Sequence, residues 1–479
     1  MMFDLNKRHC FYFNEISKIP HGSKNEKALS DYLVQFARNH GLYFVQDHVS
    51  NVIIYKSASP GCKQREPLIL QAHMDMVCEK TKESNHDFMK DPLKLVVKDG
   101  ILKAEGTTLG ADNGTGVAFM LAILEDETLV HPPLECVFTT MEEIGLLGAM
   151  ELDSKLLAGK RMISLDGGGE TRTLLSCAGG CTVKLMKALE KEANHDSCFR
   201  MTVQGLLGGH SGGEIHKEKG NATLLCSRII KEMMMKGAQL QLIEIEGGLK
   251  MNAIPREAEM IFASENTFEE LNAWMSESAK EIQDELEFSD PGFKAELFIE
   301  PMKATRWTKQ TTEDVMDMMY LMPNGFQHRS MAIEGLTLTS LNLGIVQTHE
   351  TELEMVISIR SALESGKAHF RRKLAVLSKR LGFDAVMDNG FPGWNYSAKS
   401  KMRELYSEMV QKLYHKDLEI VASHGGCECG VFKGMIPEID MISMGPQAAF
   451  VHTPDEQLDL ASFDRTYELL RCIITECGK

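Results

Sequence analysis

A strand without a polar face has to be covered on both sides, and one such strand sets the terms for this chain. Pro67-Leu68-Ile69-Leu70 opens a strand over 68–72 that lacks the apolar–polar alternation of a half-exposed strand, so it belongs inside a sheet with helices on both faces. Its neighbours supply the layers. Residues 25–40 carry the helical period and stop near Gly41, 42–46 and 52–55 read as short strands, 114–125 as a buried helix, and 134–140 and 161–165 as further strands. This alternation predicts an α/β domain built on a mostly parallel sheet.

From about residue 181 the pattern changes and then repeats. Strand 199–203, helix 221–236, strands 239–246 and 257–263 and helix 268–286 form one βαββα unit; strand 294–300, helix 312–321, strands 336–346 and 352–361 and helix 367–381 form a second. Together they predict an inserted α+β lid domain with an antiparallel sheet. After the turn-rich Asp388-Asn389-Gly390-Phe391-Pro392-Gly393, helix 399–414 and strand 438–444 return to the first sheet. The expected organisation is a catalytic domain over 1–180 and 388–479, interrupted by a lid over 181–387.

Length agrees with more than one core, because 479 residues exceed what one compact core holds. The balance of 52 basic against 68 acidic residues, formally −16, argues against nucleic acid or an anionic membrane as the partner. No run of 18 apolar residues occurs, and the start MMFDLNKRHCFYFNEISKIP lacks the basic and apolar regions of a signal peptide. Twelve cysteines without framework spacing point to reduced thiols and a cytoplasmic protein. The Met233-Met234-Met235 cluster reads as adaptable core filler.

Chemistry gathers where the predicted strands end, the place open α/β sheets put their sites. His73 and Asp75 close the first strand. Thr107 to Gly116, TTLGADNGTG, surrounds Asp112 with glycines before a helix. Adjacent Glu142 and Glu143 follow strand 134–140, a costly pairing unless a cation or solvent separates them. Asp166 follows strand 161–165, and His452 lies in a turn-rich loop near the C-terminus. Imidazole and carboxylate are the ligand types of an open catalytic zinc site, and five side chains serve two divalent ions at three ligands each if one carboxylate bridges. Asp112, in its glycine-rich loop, is the bridge candidate. Two such ions about 3.5–4 Å apart lower the pKa of water to roughly 7. Zinc is the first expectation, with cobalt or manganese accepted by the same ligand types.

His-Met-Asp at 73–75, Gly-Ala-Asp-Asn at 110–113, Glu-Glu-Ile-Gly at 142–145, Asp166 and the late His452 together resemble the glutamate carboxypeptidase and aminoacylase superfamily of co-catalytic zinc peptidases. Within it the chain is similar, over essentially its whole length, to the aminoacyl-histidine dipeptidases. The resemblance implies that His73 and Asp166 hold one metal and Glu143 and His452 the other, that Asp112 bridges them, and that the peptide bond after Asp112 is cis. It makes Glu142 the general base, and Asp75 the residue that fixes the ring of His73.

The glycine-dense Gly205 to Gly213 has neither the G-K-[ST] ending nor the G-x-G-x-x-G of a nucleotide loop. By resemblance its His210 stabilises the tetrahedral oxyanion, and Asn252 and Arg360 hold the substrate's C-terminal carboxylate, a task suited to a guanidinium. The loop His424 to Gly430, with His424 and Gly426, is expected to line the substrate side. Its Cys427-Glu428-Cys429 is too sparse for a zinc site. The second lid copy could stand in for a partner subunit, so a homodimer is compatible with the sequence but not needed to complete the site. The expected activity is hydrolysis of unblocked dipeptides, preferring C-terminal histidine as in β-alanyl-histidine (carnosine). An N-acyl-amino-acid deacylase with the same metals is the rival, and a catalytically silent peptide- or metal-binding protein is a weaker one, because Glu142 serves chemistry and not binding.

Overall fold

The computed structural model describes residues 3–479, which divide into two compact units. The first comprises the chain up to Cys177 together with Trp394–Ala422 and Cys427–Lys479; the second comprises Ala178–Gly393 and Ser423–Gly426. The short stretch Ser423–Gly426, which the sequence reading leaves with the returning segment, is thus grouped with the second unit.

The first unit is built on a six-stranded sheet in the order Tyr43–Gln46, Val52–Lys56, Leu134–Thr139, Leu68–His73, Arg161–Ser164, Asp440–Ser443. The last four run parallel, and an antiparallel hairpin forms the opposite edge. Strands Leu68–His73 and Leu134–Thr139 are buried at every position. That is the consequence of lacking a polar face. Helix Ala111–Glu125 is apolar around its circumference and correspondingly buried from Asn113 to Leu124. Gly116 permits its approach to the sheet, since a Cβ there would lie 2.8 Å from that of Ala72. Helices Arg8–Ile16 and Leu460–Gly478 complete this layer through Phe13, Phe119 and Phe463, the last two stacked at 4.9 Å. Across the sheet, Ile69, Val137, Met162 and Met441 pack with Phe432 of helix Glu428–Met435.

The second unit is organised by a nine-stranded antiparallel sheet. From the central pair Leu240–Gly247 and Thr337–Thr348, joined at only two register positions, each half reads outward in the same order. One half continues through Ala258–Ser264, Ser197–Gln204 and Lys294–Glu300; the other continues through Glu352–Ser361, Gly179–Ala188 and Asp384–Met387, and the ninth strand, Gly325–Arg329, also pairs with Thr337–Thr348. Two copies are therefore present, but they are nested. Lys294–Glu300 closes the first copy instead of opening the second, whose first strand is Gly179–Ala188. Periodicity marks a strand without naming its partner, and here the partner lies across an inserted copy. Of the methionine cluster, Met233 is fully buried, whereas Met235 is 64% exposed and fills no core.

Candidate active site

Parallel strands bring the first unit's chemistry to one edge. His73 is the last residue of its strand and pairs in register with Thr139, the last of the next, so both lie at one level of the sheet. Glu142 and Glu143 follow Thr139 through a turn, and Asp166 lies just beyond Ser164. Asp112 enters from the loop that starts helix Ala111–Glu125, where Gly110 takes a left-handed φ of 69° and the Asp112–Asn113 peptide bond is cis.

These side chains converge on Asp112. Its Oδ1 lies 3.0 Å from His73 Nε2 and its Oδ2 3.3 Å from His452 Nε2. Asp166 Oδ1 is 3.9 Å from His73 Nε2, and Glu143 Oε1 is 2.9 Å from His452 Nε2. Two ligand sets share Asp112, His73 with Asp112 and Asp166, and Asp112 with Glu143 and His452, each with its donor atoms within 4.8 Å of one another; His73 with Glu142 and Glu143 forms a third such group. A tetrahedral ion with bonds of about 2.0 Å has ligand–ligand edges of about 3.3 Å, in the middle of these separations. Glu143 Oε1 is buried and, despite its closeness to His452, takes no hydrogen bond. Two electron-pair donors facing each other in this way fit a cation better than a shared proton.

The protonation pattern agrees with that fit. The hydrogen bond to Asp112 and the nearby Glu143 carboxylate raise the His452 imidazole to about 10. Burial alone would depress His73, yet Asp112, Asp75 and Glu142 hold it well above its usual value. Asp112 is lowered: burial opposes its charge, but the two histidines prevail. Burial, reinforced by Asp112, pushes Asp166 up to about 7, and burial with Asp166, Glu428 and Glu143 nearby pushes Glu142 up to about 9. Crowded carboxylates here retain protons that a cation would displace.

Residue 75 fixes the His73 ring mainly through its backbone: Nδ1 lies 3.0 Å from the Asp75 carbonyl and 3.5 Å from its carboxylate. That carboxylate is occupied elsewhere. It accepts from Ser23 Oγ at 2.8 Å and from the amides of Glu142 and Glu143 at 3.0 and 3.3 Å, and so orients the glutamate pair. Sequence reasoning found neither this contact nor Glu428. The Glu428 carboxylate, buried and raised by that burial to about 8, accepts from Gln71 Nε2 and Thr139 Oγ1 on the face of the sheet that carries His73. Among the described residues no candidate metal cluster includes Cys427 or Cys429. His9, Cys10 and Asp464 form another close group, but Lys7 already pairs with Asp464.

The second unit holds a cluster of opposite character. Arg360, at the end of strand Glu352–Ser361, leaves its buried Nε without a hydrogen-bond partner and forms no ion pair among the described residues. Gly212 makes room for it, since a Cβ there would sit 3.3 Å from Arg360 Cζ. The amides of Gly212 and Gly213 donate to His210 Nδ1 at 3.2 and 3.1 Å, which places the ring proton on Nε2. Burial and the Arg360 charge lower the His210 pKa, so this ring is a neutral donor. The amide of Ser211 donates to the Asn252 carbonyl at 2.9 Å, and Asn342 Nδ2 anchors the neighbouring Met251 and Ala253 carbonyls. His424 lies 2.7 Å from Ser340 Oγ and is lowered to about 3 by burial and by Arg360. Gly426 is exposed, and a Cβ there would lie 2.5 Å from the Phe391 ring.

Peptidase family M20/M25/M40 matches residues 69–476. The cytosol non-specific dipeptidase of Escherichia coli (strain K12) is 36% identical over 467 residues, 97% of this chain and 96% of that protein. The crystal structure of aminoacylhistidine dipeptidase from Vibrio alginolyticus superposes with a TM-score of 0.90 at 31% identity, covering 98% of this chain and 96% of the other. The aminopeptidase PepT from Bacillus cereus shares the fold at a TM-score of 0.57 and 16% identity, with full coverage of both chains.

Proposed function

Because the chain belongs to peptidase family M20/M25/M40, we propose that it is a metallodipeptidase that hydrolyses dipeptides with free termini and prefers those ending in histidine, carnosine among them. The double use of Asp112 carries the reading: one carboxylate places its two oxygens against two different histidines, and each histidine brings a further carboxylate. His73, Asp112 and Asp166 would hold one divalent cation and Asp112, Glu143 and His452 the other, with zinc first among the candidates. When bound, such a pair polarises the scissile carbonyl and acidifies water to a pKa of about 7.

The remaining work falls to the protein's own groups. Glu142 takes a proton from the attacking water on its carboxylate and later delivers it to the leaving amine. Asp75 keeps His73 and the Glu142–Glu143 backbone in place. His210 Nε2–H donates to the oxyanion as the carbonyl becomes tetrahedral, an interaction of a kind that contributes about 3–4 kcal/mol elsewhere. Arg360 and Asn252 receive the substrate carboxylate, with the neutral His424 and exposed Gly426 beside them as substrate-lining groups. Among the described residues Arg360 forms no ion pair that a substrate would have to displace.

The histidine preference draws its support from the Vibrio relative, whose name carries it. A cytosolic location draws on the twelve unpaired cysteines and on the Escherichia coli relative. Among the described residues, no helix is long and apolar enough to cross a membrane. His210 is assigned to act within its own chain, with no requirement for a dimer.

The test is an assay of chelator-stripped protein, before and after restoring zinc, cobalt or manganese, against carnosine, other dipeptides, a tripeptide and N-acetyl-histidine. Metal-dependent cleavage of dipeptides alone is the expected result. Turnover of N-acetyl-histidine without need of a free amine would make it a deacylase, and binding of carnosine without cleavage would make it a binding protein.

A further inference from the structure

We propose that Glu456 is a positioning residue that couples the two ligand-bearing loops of the metal centre, holding His452 against Asp112. The inference rests on the reading that the five side chains hold two cations. Glu456 is 2% exposed, and its carboxylate accepts four consecutive backbone N–H groups. Oε2 takes those of Leu109 and Gly110 at 2.7 and 3.0 Å; Oε1 takes those of Ala111 and Asp112 at 2.9 and 3.3 Å. These amides open helix Ala111–Glu125, where N–H groups have no partner within the helix and negative charge is favoured. The fourth belongs to Asp112 itself.

The other end of the coupling is local. Glu456 lies in the same short loop as His452 and leads directly into strand Gln457–Asp459, which pairs with Ile101–Ala104. Between them Thr453 Oγ1 donates to the Phe450 carbonyl at 2.7 Å and accepts from the Asp455 amide at 3.2 Å, and the Glu456 amide donates to the Thr453 carbonyl at 3.0 Å. Phe450 and His452 both occupy the left-handed region, at φ 53° and 63°, which side-chain-bearing residues disfavour. A loop in that state keeps its shape only if its surroundings impose it. The carboxylate that supplies the constraint is the one bound to the Asp112 loop.

A simple helix cap would lower stability whether or not cations are present, whereas a coupling residue sets the affinity of the cation that His452 shares with Asp112. Calorimetric titration of chelator-stripped protein with zinc separates the two roles. The wild-type chain should take up two cations. Glu456→Gln keeps the size of the side chain but removes its charge and turns an amide donor toward two of the four N–H groups. It should retain one tight cation and bind the second about 10- to 100-fold more weakly, the range found when groups that orient a metal ligand are removed. Thr453→Val, at an exposed position where folding is not at risk, should weaken the same cation by a few-fold. Two cations bound with wild-type affinity by Glu456→Gln, accompanied only by a lower melting temperature, would overturn the proposal. If Glu456→Gln does not fold, wild-type affinity in Thr453→Val would overturn it. Fewer than two cations in the wild-type chain would overturn the two-cation reading itself.

Discussion

The two chemical clusters differ in what they lack. In the first unit, four carboxyl groups and two imidazoles crowd one end of the parallel sheet, and protons are held there by groups raised above their ordinary values. In the second, a guanidinium lies with two neutral imidazoles and forms no ion pair among the described residues. On the proposed reading, cations would complete one cluster and an anion the other. A peptide hydrolase needs both, one to attack the amide and one to hold the substrate's carboxylate.

The sharpest way to break this comparison is to remove a group that only the chemistry needs. Glu142→Ala should keep both cations and lower kcat by about 10²–10⁴-fold, the contribution of a positioned acid–base group. Metal analysis alongside turnover checks this, and wild-type rates would show that the base lies elsewhere. Removing the second unit's charge should act on binding. Arg360→Ala should lower kcat/KM for free dipeptides by about 10–100-fold, the worth of a charge-assisted hydrogen bond, while leaving C-terminally amidated peptides nearly unaffected. Equal losses on both substrates would remove Arg360 from carboxylate recognition.

Proton release gives a third, smaller effect. His452 and Glu142 are raised to about 10 and 9, so they hold protons at neutral pH without cations, and Asp166, raised to about 7, is partly protonated there. Binding a cation must expel some of these protons, so affinity should increase as pH rises, by about tenfold per pH unit for each proton released. Zinc titrations in two buffers of different ionisation enthalpy should give different heats, and identical heats would contradict the reading. The smallest effect is expected at Ser340→Ala, which frees the His424 ring from its 2.7 Å partner. A hydrogen bond worth about 1 kcal/mol corresponds to a roughly five-fold rise in KM. No change in KM would place His424 outside the substrate's reach.

Much of the first cluster was legible because each member is announced locally: a strand without a polar face ends in His73, glycines surround Asp112, and two glutamates stand where solvent alone would have to separate them. Its supports were not. Gln71 and Glu428 meet across 357 positions of sequence, and Leu109 and Glu456 across 347. A buried carboxylate whose partners are distant looks like any other glutamate in a linear reading. The same limit hid the nesting of the second unit, where Gly179–Ala188 pairs with Glu352–Ser361 across an entire inserted copy. Helices Arg8–Ile16 and Leu460–Gly478 were missed although both are amphipathic, and Phe13 and Phe463 in their buried faces complete the first core.

The shared aspartate is the claim on which the rest stands. Anomalous diffraction at the zinc absorption edge from zinc-soaked crystals measures it directly. Two peaks flanking the Asp112 carboxylate, one beside His73 and Asp166 and one beside His452 and Glu143, are predicted. A single peak that leaves one histidine without a metal, or no peak within bonding distance of Asp112, would contradict the account.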